Sequence, residues 1–290
     1  MSPARTTVVI ATRDRAEELE RTLTELTSLR PAPPVVVIDN ASSDDTAARA
    51  SRFDGVRVVS LPGNIGAAAR NLGVALARTP YVAFSDDDSW WADDALTEVE
   101  RLLDTHDDVG LVAAKTLVGE EQREDPVVVL MAESPLGRPE GLPGPVVLGF
   151  LACSAVVRRK AYLQAAGFSP LLRFGAEEKL LSYDLAALGW RLCYVERVRA
   201  YHHPSTARPS AGWRQRVELR NDLLITVMRR PVRQCLLQVF QAVKRIPREP
   251  HVVRALAGTV RKLPRALAER RPLPAGVEHQ IRVLEQAQGG

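Results

Sequence analysis

Tyr81-Val82-Ala83-Phe84-Ser85-Asp86-Asp87-Asp88 is the stretch whose reading decides the fold of this 290-residue chain. Its first half is short, apolar, aromatic and β-branched, and it follows Pro80, which predicts a buried strand. Its second half releases consecutive carboxylates at the end of that strand. In an open α/β sheet, ligands bind outside the carboxyl ends of the strands. Carboxylates at i and i+2 suit a hard divalent cation, which commonly takes one or two of them plus substrate phosphates and water. The bland alternative is a solvated turn capping the helical stretch beyond Ser89 and Asp93.

Working outward, the flanking segments repeat a β-α-β rhythm. Thr7–Ala11 predicts a strand, and Leu19, Leu23 and Leu26 give Arg15–Leu29 a helical face. Val35–Ile38 is a continuous apolar run of the kind buried on both faces of a parallel sheet. A polar loop, a short helix over Thr46–Phe53 and a strand over Val56–Val59 follow. Ile65–Ala77 predicts the next helix, and beyond the opening stretch come a helix over Asp93–His106 and a strand over Val109–Ala113. This alternation predicts an α/β domain with a parallel sheet and right-handed crossovers. Thr116–Pro145 reads as a loop-rich insert around one strand, Val127–Met131. Strands are expected within Val146–Val157 and Trp190–Val195, and helices over Lys160–Ala166 and Glu177–Leu188. From Trp213 onward the chain reads as helical, broken at Pro231, Pro247–Pro250 and Pro272–Pro274.

Composition narrows the functional classes. Hydrophobic residues make up 46% of the chain, enough for a sizeable core and against wholesale disorder. Cys153, Cys193 and Cys235 are far apart, so a thiol-metal site or disulfide framework is not expected and a reducing cytoplasm fits. No secretory leader and no run of about 18 apolar residues is apparent, so no membrane span is expected. The net charge of +4 conceals an asymmetry: residues 208–274 carry 16 Lys/Arg against 4 Asp/Glu, a net of +12, which leaves the remainder at −8. An acidic body therefore carries a basic helical segment.

Polar clusters fall at the ends of successive apolar elements. Asp39 ends the second strand, and Asn64 and Gly66 precede the helix bearing Arg70 and Asn71. Asp86–Asp88 end the fourth strand, and Glu177 and Glu178 open a helix after Phe174-Gly175-Ala176. The first three clusters can converge on one sheet edge, a set suited to the base, ribose and diphosphate of a nucleotide. These residues resemble family 2 glycosyltransferases of the GT-A fold, over roughly residues 5 to 225. The resemblance rests on Thr12-Arg13-Asp14-Arg15 after the first strand, on Asp39-Asn40-Ala41-Ser42-Ser43-Asp44-Asp45-Thr46, on Asn64-Ile65-Gly66 with Arg70-Asn71, and on Asp86-Asp87-Asp88 as the Asp-x-Asp element.

The resemblance implies a mostly parallel, Rossmann-like sheet flanked by helices, with a catalytic domain over residues 1–225 and a basic helical extension over 226–290. It implies transfer of a sugar from a nucleotide-diphospho-sugar to an acceptor hydroxyl, with inversion. Thr12, Arg13, Asp39, Asn40, Asn64, Gly66, Arg70, Asp86, Asp87 and Arg208 would hold the donor, Asp39 at the base and Asp86 near the ribose. Asp88, Asp86 and a histidine of the His202-His203 pair, with His203 preferred, would hold Mg2+ or Mn2+. The family's Gly-Glu-Asp-x-Asp-Leu element corresponds to Gly175-Ala176-Glu177-Glu178-Lys179-Leu180-Leu181. Glu178 then stands where the catalytic Asp would, with Glu177 second, and Leu180 replaces the following Asp. Ordinary first-turn glutamates, favoured by the helix dipole, are the alternative.

Trp90 and Trp91 are candidate acceptor contacts, because aromatic faces suit sugar C–H groups. Core anchoring of the following helix is the competing role. Gly149–Ser154 loosely resembles the family's acceptor-side segment. A UDP-sugar is the default donor, with dTDP and GDP open, and a sugar, a lipid-linked group or a small molecule is the acceptor. The apolar face Leu236, Leu237, Val239, Phe240 and Val243, flanked by Lys244 and Arg245, suits docking on the body, a homo-oligomer contact or an anionic membrane surface. A cytoplasmic enzyme, peripheral at the inner face of the membrane, follows from that reading. Nucleic acid is not expected, because no recognised module accompanies the charge. Rival readings are a sugar-nucleotide pyrophosphorylase, disfavoured because no glycine occurs in Thr12–Arg15, and a non-catalytic sugar-nucleotide scaffold, suggested by Leu180.

Overall fold

The computed structural model describes residues 4–205 and 210–288. The first half runs β1 (Thr6–Thr12), α1 (Ala16–Ser28), β2 (Val35–Asp39), α2 (Thr46–Ala50), β3 (Val56–Ser60), α3 (Ala69–Leu76) and β4 (Tyr81–Ser85). Then come β5 (Ser89–Trp91), α4 (Ala95–Thr105), β6 (Val109–Val118), β7 (Arg123–Glu124) and α5 (Pro126–Ala132). The second half continues with β8 (Ala155–Arg158), α6 (Arg159–Gln164), α7 (Glu177–Ala187) and β9 (Arg191–His202). Four helices follow: α8 (Ala211–Arg229), α9 (Val232–Arg245), α10 (His251–Ala268) and α11 (Ala275–Gln288).

One sheet runs in the order β3-β2-β1-β4-β8-β6-β9-β5, with β7 on β6. The strands β3, β2, β1 and β4 are mutually parallel. Beyond β4 the sheet is mixed: β8 runs antiparallel to β4 and β6, β9 returns parallel to β6, and β5 is antiparallel to β9. The expectation of a mostly parallel sheet therefore holds for the first half only. Side chains alternate across the sheet. Val8 and Ile10 pack with Leu19, Leu23 and Leu26 of α1 on one face, and Val9 packs with Val74 of α3 and Tyr162 of α6 on the other. Covering on both faces is why these strands read as continuous apolar runs.

Three sequence expectations change. Val127–Met131 is helical, not a strand: Asp125 caps α5 by accepting from the Val127 N–H at 2.9 Å, and Pro126 occupies the first turn. Such a cap and an N-terminal proline outweigh the β propensity of a valine run. Within Val146–Val157 only β8 is a regular strand, preceded by a 3-10 turn at Ala152–Ser154. The strand expected over Trp190–Val195 extends as β9 to His202, whose imidazole lies beside Asp88.

The expected boundary between residues 225 and 226 falls inside α8. Leu224, Ile225 and Met228 of α8 share an apolar core with Leu180 and Tyr183 of α7, Ala266 of α10 and Ile281 of α11. The C-terminal helices thus sit on the body through a third core. Arg230 fastens α11: its Nε donates to Glu278 at 2.7 Å and its Nη1 to Glu285 at 2.6 Å. Among the described residues no helix is long and apolar enough to cross a membrane.

Candidate active site

Thr12, at the end of β1, sits in register with Asp39 at the end of β2, and Ile10 with Ser85 of β4. Adjacent strands lie about 4.8 Å apart, so the ends of β2 and β4 are separated by about 10 Å. Thr12 bridges them by donating from Oγ1 to Asp87 Oδ2 at 2.8 Å. Asp39 is buried, and its Oδ1 accepts from the Ser42 N–H at 3.0 Å and from the Ser42 hydroxyl. Arg13 points outward and pairs with Asp14 at 3.3 Å.

The next loop is built to sit close. Asn40 donates from Nδ2 to Gly66 O at 3.1 Å and accepts from the Ile65 N–H at 3.1 Å, so its side chain ties two loops together. Asn64 caps the turn by accepting from the Gly66 N–H at 2.8 Å. Gly66 has φ +69°, and a Cβ there would lie 2.1 Å from Arg173 O. Its role is close backbone approach, which only glycine permits at that φ. Asn71 likewise serves the scaffold, accepting from Tyr162 Oη at 2.5 Å and from the Phe168 N–H at 2.9 Å.

The three aspartates have three different neighbours. Asp86 is paired with the buried Arg70 guanidinium. Asp87 is pushed up to about 7 by burial and by the charge of Asp86, against the stabilising Thr12 hydrogen bond. Asp88 Oδ2 accepts from the Ser205 N–H at 3.0 Å, and its Oδ1 lies 3.3 Å from His202 Nε2. The histidine beside Asp88 is thus His202, not the preferred His203. Alternation along β9 explains the swap, since neighbouring side chains point to opposite faces. His203 stacks on Trp90 with ring centroids 4.7 Å apart, and partial burial and Arg21 lower its pKa.

Arg70 is also where the donor-side and helix-side acids meet: the charges acting on it are those of Asp86, Glu177 and Glu178. Glu177 and Glu178 open α7 immediately after Gly175 (φ +82°) and Ala176 (φ +60°). Two successive left-handed residues turn the chain sharply into the helix. Burial raises the pKa of Glu177; burial first and then the Glu177 charge raise Glu178 to about 8. Arg70 Nε and Glu177 Oε2 are buried without a hydrogen-bond partner among the described residues. Leu180, in place of an Asp, is buried in the core shared with α8.

Sequence reasoning missed Asn221. It is fully buried on α8, and its Nδ2 reaches the carbonyls of Leu172 at 3.2 Å, Phe174 at 2.7 Å and Gly175 at 2.6 Å. It therefore holds the turn that presents both glutamates. Nothing local marks it, because its partners lie more than forty positions earlier. The tryptophans are also corrected. Trp91 is buried among Ala95, Val99 and Val198 in the core, and Trp90 packs on Tyr201 and His203. Neither lines the cavity that contains Glu178. Arg208 lies outside the described residues.

No group of three or more His, Cys, Asp or Glu side chains is arranged as a metal cage among the described residues. The donor set still suits a shared site. Asp88 and His202 offer a carboxylate and an imidazole, and the crowding that raises Asp87 is what a divalent cation relieves. Mg2+ in particular is commonly held by one or two carboxylates with substrate phosphates completing its shell.

A parallel β-α-β half with acids and amides at its carboxyl edge, joined to a mixed half that presents a carboxylate pair, defines the GT-A class of nucleotide-sugar glycosyltransferases. The pattern of glycosyl transferase family 2 matches residues 7–164, and the chain belongs to that family. A pre-mycofactocin glycosyltransferase of Mycobacterium tuberculosis is 34% identical over 206 residues, or 65% of this chain. The chain spans 40% of that relative's length. Among solved structures, S. aureus TarS 1-349 in complex with UDP-GlcNAc has a TM-score of 0.61 at 17% identity, covering 92% of this chain and 84% of that one. Mannosyltransferase PcManGT from Pyrobaculum calidifontis, in complex with GDP-Man and Mn2+, has a TM-score of 0.58 at 22% identity, covering 100% of this chain and 76% of that one. By sequence the chain is a member of that family, and the structural likenesses extend to its fold.

Proposed function

We propose that this enzyme transfers a sugar from a nucleotide-diphospho-sugar to an acceptor hydroxyl in a single inverting displacement, with Glu178 as general base. The observation that carries this reading is the buried Arg70 guanidinium, which is paired with Asp86 and on which the charges of Glu177 and Glu178 of α7 also act. Glu178 takes the acceptor proton as the acceptor oxygen bonds to the anomeric carbon. The bond from that carbon to the β-phosphate oxygen breaks, and the nucleoside diphosphate leaves. A base with a pKa near the working pH is efficient in such a step, and about 8 is within that range.

Asp39 with Asn40, Asn64 and Thr12 would frame the nucleotide end of the site, and Asp86, Asp87 and Arg70 its ribose and phosphate end. Asp88 and His202 would hold Mg2+ or Mn2+, which when bound neutralises charge growing on the leaving diphosphate. A UDP-sugar is the default donor; neighbours crystallised with UDP-GlcNAc and GDP-Man support a nucleotide-sugar without selecting the base.

The test is release of nucleoside diphosphate from a panel of UDP-, dTDP- and GDP-sugars with Mn2+. The wild-type chain turns over at least one donor, and Glu178→Gln slows it about 100-fold or more. Equal rates in the two proteins would refute the assignment of the base.

The same reading places the enzyme in the cytoplasm, peripheral at a membrane. Leu236, Val239, Phe240 and Val243 form an exposed apolar stripe on α9, with Lys244 and Arg245 at its end. Such a face suits an anionic lipid surface. Flotation with phosphatidylglycerol vesicles at low salt is the expected result. A chain that stays at the bottom of the gradient and sediments as a dimer would put a second copy on α9 instead.

A further inference from the structure

We propose that a cavity beside Glu178 receives the acceptor as a small, uncharged molecule with an apolar body and one reactive hydroxyl, and that helix α11 is the wall that selects it. This rests on Glu178 as the base. The cavity has a volume of about 490 Å³ and opens between α5, the 147–151 segment, α7, α8 and α11. Sites for small molecules commonly measure about 300–1,000 Å³.

One part of its wall is apolar. Met131 comes from α5, Leu148 and Phe150 from the segment before β8, Tyr183 from α7, and Ile281 and Leu284 from α11. A glycan chain would press hydroxyls against these apolar side chains, at a cost for each one that does not reach a carboxylate of the opposite wall. An aromatic or alkyl body would meet dispersion contacts instead.

Its charged groups exclude an anion. Glu178, Glu218, Asp222 and Glu285 line the cavity, and among the described residues Lys179 is the one cation that lines it. Lys179 and Asp222 offset each other, with Nζ 2.9 Å from Oδ1, and Glu285 is paired with Arg230, which leaves Glu218 and the ionised form of Glu178 to set the sign of the field. Among the described residues no arginine lines the space, although arginine is the usual partner for phosphate. A phosphate- or carboxylate-bearing acceptor would therefore enter a field of its own sign.

Glu178 belongs both to this cavity and to the group around Arg70, so it fixes where the hydroxyl must lie. The outer wall is held by the Arg230 contacts to Glu278 and Glu285. In this arrangement the C-terminal extension reads the acceptor, while the first half of the chain reads the donor.

The test uses the full chain and a neutral fluorescent probe, N-phenyl-1-naphthylamine. Wild-type protein should bind it saturably, and Leu284→Trp, which fills the space, should weaken binding at least tenfold. Leu130→Gln at the exposed mouth serves as a second variant should Leu284→Trp melt early. Competitors separate the acceptor classes: 4-phenylbutan-1-ol should displace the probe, and its phosphate monoester should need at least tenfold more. Maltotriose should not displace it. Equal probe binding by wild type and both variants, or equal displacement by the alcohol and its phosphate ester, overturns the proposal. Failure of the base assignment looks different: probe binding and displacement persist, but 4-phenylbutan-1-ol raises nucleotide release equally in wild type and Glu178→Gln.

Discussion

The donor edge of β1, β2 and β4 and the acceptor side built on α5, α7, α8 and α11 are made in different ways. On the donor edge, each polar group ends its own strand or follows it within three residues, so a parallel register is enough to line them up. On the acceptor side, one cavity takes residues from Val127 to Glu285, and no short motif spans that range. The difference teaches that an edge built from strand ends can be specified by local chain geometry, whereas a cavity walled by distant helices is specified by how they pack.

The largest expected effect lies on the donor edge. Asp88→Ala should lower turnover by about 10³-fold, as loss of several kcal/mol of charge stabilisation implies, with the fold retained by circular dichroism. Full activity with metal in this variant would break the assignment of the edge as the metal and diphosphate site. Next comes Gly66→Ala, which forces a side chain against Arg173 O at a left-handed φ. It should cost about 1–3 kcal/mol in urea unfolding, and an unaltered midpoint would show that the two halves do not meet as described.

Asn221→Asp sharpens the acceptor side. It replaces a donor by an acceptor facing three carbonyls, so about 1–3 kcal/mol of stability should go. Because Asn221 acts through the turn before Glu177, turnover of Asn221→Ala should fall more than donor affinity. A change in KM alone, with kcat intact, would make Asn221 merely structural.

A smaller effect is the pH dependence. Glu178 is held above its ordinary 4.5, at about 8, so the neutral acid is the form the fold favours. Its contribution to stability is complete below pH 4.5 and is lost as pH rises through about 8. Activity runs the other way, since the base must be ionised: kcat/KM should rise towards an alkaline plateau with a midpoint near 8. Glu178→Gln should flatten that profile and soften the decline in melting temperature between pH 5 and 9. The smallest effect belongs to α9: Leu236→Ser with Phe240→Ser should leave turnover of a soluble donor within about twofold while abolishing flotation, since exposed sites rarely alter the body.

By itself, the sequence determined the parallel half of the sheet, because its runs are apolar on both faces and its helices show their buried stripe at Leu19, Leu23 and Leu26. It also determined the family and the candidate acids, since each sits at a fixed offset from the end of a strand or the start of a helix. Only the tertiary structure decided the rest. Val127–Met131 became a helix through its cap at Asp125, and His202 rather than His203 came to Asp88 through the pleat of β9. Trp91 went to the core, and Asn221 came to hold the catalytic turn. Local spacing records which way a chain points as it leaves an element; which distant surfaces then touch depends on packing, and packing is a property of the whole fold.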